Sequence, residues 1–75
     1  MPPLPVLSAK QVVAALQRNG FEWKRQRSTH ITLQHPDGRT IVVPDLKTIA
    51  KGTLRAILRD TKLTVDDLTR KPKRP

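Results

Sequence analysis

The chain has 75 residues, enough for one small domain with a thin core. It contains no cysteine, which excludes disulfides, thiolate metal sites and thiol catalysis. Fifteen Lys and Arg against six Asp and Glu give a formal net charge of +9, so an anionic partner is expected, nucleic acid first and an acidic protein second.

Residues 1–7 are punctuated by prolines and read as an extended segment. They lack the basic start and long apolar stretch of a signal peptide. No apolar run is long enough to span a bilayer. A cytoplasmic protein without a membrane partner is expected. Ser8 then reads as an N-cap, with Gln11 completing a capping box. Ala9, Val12, Val13 and Leu16 share one helical face, and Gly20 supplies the stop. A first helix is expected over residues 8–19.

Phe21 and Trp23 alternate with Glu22 and Lys24, which is strand periodicity. Trp23 is expected in the core, because a domain with two aromatics has little else of that size to bury; stacking on a base is the alternative. A second strand runs from His30 to Gln34, with Ile31 and Leu33 facing inward and His30, Thr32 and Gln34 outward. His35-Pro36-Asp37-Gly38 is a turn, and residues 39–43 form a third strand closed by Pro44. His35, within this turn, is expected to be structural or solvated. After a loop, Leu54, Ile57 and Leu58 mark the core face of a helix over residues 51–59. Lys51, Arg55, Arg59 and Lys62 form an adjacent basic stripe. Residues 64–68 suit a short third helix, and residues 69–75 read as a basic disordered tail. The expected class is α+β: a three-stranded antiparallel sheet with both helices on one face and the other face open.

His30 is the residue with most chemical potential. Its imidazole can give or take a proton near neutral pH. It follows Lys24-Arg25-Gln26-Arg27-Ser28-Thr29, a stretch rich in fixed positive charge. A proton-transfer group on a phosphate-attracting surface is what RNA cleavage needs. On pattern alone, a non-catalytic histidine on an RNA-binding face is the commoner case. Metal catalysis is not expected, because His30 and His35 point to opposite faces and no carboxylate cluster accompanies either.

Three stretches resemble the HicA toxin family of toxin–antitoxin pairs. They are Arg25-Gln26-Arg27-Ser28-Thr29-His30, the hairpin His35-Pro36-Asp37-Gly38-Arg39 with Val42-Val43-Pro44, and Lys51-Gly52-Thr53-Leu54-Arg55-Ala56-Ile57-Leu58-Arg59. The likeness spans a domain of residues 8–68. It implies a double-stranded-RNA-binding-like fold and a metal-independent endoribonuclease that cleaves mRNA, needs no cofactor and is silenced by a HicB-like antitoxin. The family's essential histidine falls on His30. Lys24, Arg25, Arg27, Ser28, Thr29, Lys51 and Arg55 are the RNA-binding candidates. The chain departs from the family at Ser28, where the family has glycine, at Thr29, where it has serine, and at Ala50, often proline. Serine disfavours the positive-φ backbone that glycine permits. The rival readings are a non-catalytic RNA-binding module and a basic protein-interaction domain.

Overall fold

The computed structural model describes residues 6–69. Residues 1–5 of the expected extended segment and 70–75 of the expected basic tail lie outside the described residues. The element order is α1 (Ala9–Arg18), β1 (Glu22–Arg27), β2 (His30–Gln34), β3 (Thr40–Pro44), α2 (Lys51–Thr61) and α3 (Val65–Thr69). This is the α+β arrangement read from the periodicities, short third helix included.

Local chemistry sets each boundary. Ser8 accepts from the Gln11 N–H, and the Gln11 side chain accepts from the Ser8 N–H, closing the capping box on α1. Asn19 caps the other end, and Gly20 turns the chain at φ +94°. Thr64 and Asp67 make the same reciprocal pair of bonds ahead of α3. The α2 helix runs two residues beyond the expected Arg59, to Thr61, whose buried hydroxyl donates to the Ile57 carbonyl at 2.6 Å. Lys62 then takes φ +62°, the left-handed conformation that ends a helix. The expected basic stripe therefore breaks before Lys62, which lies in the exit turn.

The strands form an antiparallel sheet in the order β1-β2-β3. The core lies between one sheet face and the helices. Val12 and Leu16 from α1, Leu33 and Val43 from the sheet, and Leu54 and Ile57 from α2 are among its largest fully buried side chains. Leu68 of α3 closes it. Burying each such aliphatic side chain stabilises the fold by about 1.5–3 kcal/mol. The loop after β3 lies along the start of α1, with the Ala9 N–H donating to Leu46 O and the Ile49 N–H to Leu7 O.

Strand parity alone would place Trp23, Arg25 and Arg27 on one face. The β1–β2 register shifts between Trp23 and Arg25, leaving Lys24 as the extra residue of a bulge. Trp23 pairs with inward-facing Leu33, whereas Arg25 pairs with Thr32 and Arg27 with His30. The bulge thus turns the indole toward the helices and both guanidinium groups away from them. Trp23 is nevertheless 48% exposed, correcting the core expectation, while Phe21 is 2% exposed. The reason is position: β1 is an edge strand, and α1 covers its start better than its middle.

Candidate nucleic-acid interface

The open sheet face is built in rows. The register sets Arg27, His30 and Pro44 side by side, with Arg25, Thr32 and Val42 in the next row. Directly paired residues on one face hold their Cβ atoms about 4.5–5.5 Å apart. The register therefore brings His30, Arg25 and Arg27 together. All three side chains are exposed. Among the described residues, none of the three enters a side-chain hydrogen bond or ion pair. An unengaged imidazole beside two fixed cations can exchange a proton while the cations hold an anion.

Ser28 and Thr29 make the two-residue turn ahead of His30. Ser28 adopts φ +52°, the left-handed region that glycine enters freely. The strain anticipated for serine at this place is present, yet His30 keeps its register against both Arg27 and Pro44. The turn is braced from behind. The Asp45 N–H donates to Thr29 O at 2.6 Å, and Gln26 Nε2 donates to Asp45 Oδ2 at 2.9 Å. Gln26 and Asp45 were not singled out in the sequence, because their pairing across 19 residues leaves no local signal.

The remaining candidates lie elsewhere. Lys24 sits at the bulge and pairs with Glu22 at 3.0 Å, in a hollow lined also by Gln34 and His35 at the far end of the sheet. Lys51 and Arg55 are exposed on α2, in the helical layer, and make no side-chain hydrogen bond or ion pair among the described residues. Ala50 gives α2 no side-chain cap, so its first N–H groups are available to an anion beside Lys51. Arg59 pairs with Asp60 at 3.4 Å.

His35 is a structural residue, as expected. Its ring meets Phe21 edge-on with centroids 5.1 Å apart. Its Nδ1 lies 3.1 Å from both the Asp37 N–H and the Asp37 carboxylate. Nδ1 without a proton accepts from the first and Nδ1 bearing one donates to the second, so the two contacts are alternatives. Arg39 completes the clasp. Its guanidinium lies 5.2 Å from the Phe21 ring centroid, pairs with Asp37 at 2.8 Å and donates to Thr61 O. Among the described residues no group of three or more His, Cys, Asp or Glu is arranged to hold a metal.

Residues 9–63, most of the chain, match the model of the HicA toxin of bacterial toxin-antitoxin systems. The chain belongs to the HicA toxin family. No curated protein matches it. Membership in the HicA toxin family makes the chain the toxin partner of a toxin–antitoxin pair, and so implies an antitoxin. The match covers the Arg27–His30 row, the hairpin and the whole of α2. No helix among the described residues of this HicA-family chain is long and apolar enough to cross a membrane.

Proposed function

We propose that this HicA-family toxin is a metal-independent endoribonuclease that cuts mRNA with His30 as its proton-transfer residue. The observation that carries the reading is the Arg27–His30 row: an exposed, unbonded imidazole beside a guanidinium on an open sheet face. In this reaction His30 takes the proton of a ribose 2′-hydroxyl. The 2′ oxygen attacks the adjacent phosphorus and the bond from phosphorus to the 5′ oxygen breaks. Water protonates the departing oxygen, and the imidazolium returns its proton to solvent. Arg27 and Arg25 stabilise the charge that builds on phosphate oxygens during the attack. Ser28 and Thr29 donate hydrogen bonds to the same phosphate. Lys51 and Arg55 hold a more distant stretch of backbone through charge, with the uncapped start of α2 assisting. Lys24, bonded to Glu22, adds general electrostatic attraction only. A HicB-like antitoxin silences the toxin by covering the open face in the cytoplasm.

A non-catalytic RNA-binding module is favoured by one feature: the His30 row brings no second proton-transfer side chain with it. The decisive experiment is cleavage of labelled single-stranded RNA in EDTA by the parent and by His30→Ala, with RNA affinity measured alongside. The expected result is a loss of at least about 100-fold in cleavage with affinity retained. Binding without cleavage by either protein leaves the binding module. Failure of both to bind leaves the protein-interaction domain.

A further inference from the structure

The open sheet face leaves unexplained a second surface on the other side of β1. There the indole of Trp23 borders a groove of about 260 Å³ whose walls include Val13, Ala14 and Gln17 of α1 and Gln26 of β1. Lys10 and Asp45 also line it, and both are shared with a neighbouring hollow that adds Leu46 and Lys47. The groove falls below the ~300–1,000 Å³ of clefts that enclose drug-sized ligands. By itself the groove has room for one flat ring system.

The chemistry of this groove is that of an unpaired base. A half-exposed indole is the best stacking surface a protein offers, and stacking tolerates any base. The amides of Gln17 and Gln26 carry both donors and acceptors for a base edge. Lys10 and Lys47 bring positive charge to the track that a phosphate backbone would follow. The Asp45 carboxylate, already bonded to Gln26, can also accept from base amino groups. An acidic protein would be served by the lysines alone, and the indole, the apolar lining and the amides would be surplus to it.

We propose that the groove between Trp23 and α1 is a stacking subsite for one unpaired nucleobase of an RNA strand. The proposal rests on the RNA-binding part of the function proposed above, and not on catalysis. It places the strand across β1, with a base held on the helix side and a phosphate held by Arg25 and Arg27 on the open side. Because β1 is an edge strand, nothing in the sheet blocks that path.

The chain contains one tryptophan, so its fluorescence reports the groove directly. The intact protein is titrated with a 2′-O-methyl oligoribonucleotide, which lacks the attacking hydroxyl and stays whole, and with an abasic strand of equal length and charge. The expected result is quenching by the first strand and little by the second. Trp23→Leu should weaken the base-bearing strand by about tenfold, and Trp23→Phe by less. Circular dichroism checks the fold, and the quenching data stand even if Trp23→Leu fails to fold. Equal binding of both strands without quenching overturns the subsite while leaving RNA binding intact. No binding of either strand overturns both readings. Quenching by an antitoxin but by no RNA reassigns the groove to a protein interface.

Discussion

Gln26 of β1 donates its side-chain N–H to the Asp45 carboxylate at 2.9 Å, across the end of β2. The same Asp45 donates its backbone N–H to Thr29 O, so one residue holds both the strand before the turn and the turn itself. This brace lies behind the Arg27–His30 row and makes the loop after β3 part of the site's support.

Removing the brace should loosen the turn without unfolding the domain. Asp45→Ala is expected to lower stability by about 0.5–1.5 kcal/mol in urea unfolding. Gln26→Ala should cost a similar amount, and the double variant less than the sum, because both remove one bond. Strict additivity would show that the bond contributes nothing.

Ser28 and Lys62 both sit at positive φ, 52° and 62°, without being glycine. Left-handed backbone costs such residues roughly 1–2 kcal/mol, and glycine's extra freedom in the unfolded chain offsets about 0.4–1 of it. Ser28→Gly and Lys62→Gly are each expected to raise stability by about 0.5–1 kcal/mol. A thermal melt that shifts downward for Ser28→Gly would mean that its hydroxyl holds the turn.

Gly20 is required twice over. Its φ is +94°, and a Cβ there would come within 2.8 Å of His35 Nε2. Gly20→Ala should destabilise by about 2 kcal/mol, combining backbone strain with displacement of the imidazole from Phe21. Adding His35→Ala should recover the steric part and not the backbone part. Full recovery in a denaturant titration would place the whole penalty in the clash.

The Asp37 carboxyl is held below its ordinary value, first by the Arg39 backbone N–H and then by the Arg39 and His35 charges. A carboxylate with a lowered pKa stabilises the fold above its unfolded value, near 4, and loses that contribution as pH falls through the folded value. Parent stability should therefore decline with acid below about pH 4, and Asp37→Asn should decline less over the same window. Parallel curves for the two proteins would rule out this contribution.

The chain order of elements was legible because it rests on neighbours. The Ser8–Gln11 box, the alternation of Ile31 and Leu33, the Asp37-Gly38 turn and the spacing of Leu54, Ile57 and Leu58 each act within a few residues. His30 was also legible as an outward residue, since strand parity around Ile31 and Leu33 leaves it no other side. Arg25 and Arg27 were recognised by charge; the two-residue turn pairs Arg27 with His30 and Arg25 with Thr32, and the Lys24 bulge is what sends Trp23 to the other face. A bulge is settled by what two strands bury together, and parity within one strand misses it.

By itself, the sequence determined the element types, the basic character, the proton-transfer candidate and the likeness to the HicA toxin family. Local backbone preferences and hydrophobic periodicity need no distant partner to be read. Tertiary structure decided which aromatic is buried, that Ser28 bears the left-handed turn, and that Gln26 and Asp45 brace it. It also gave His35 its place against Gly20 and Phe21. Each of these depends on residues far apart in the chain competing for the same space, and only the packed fold resolves that competition.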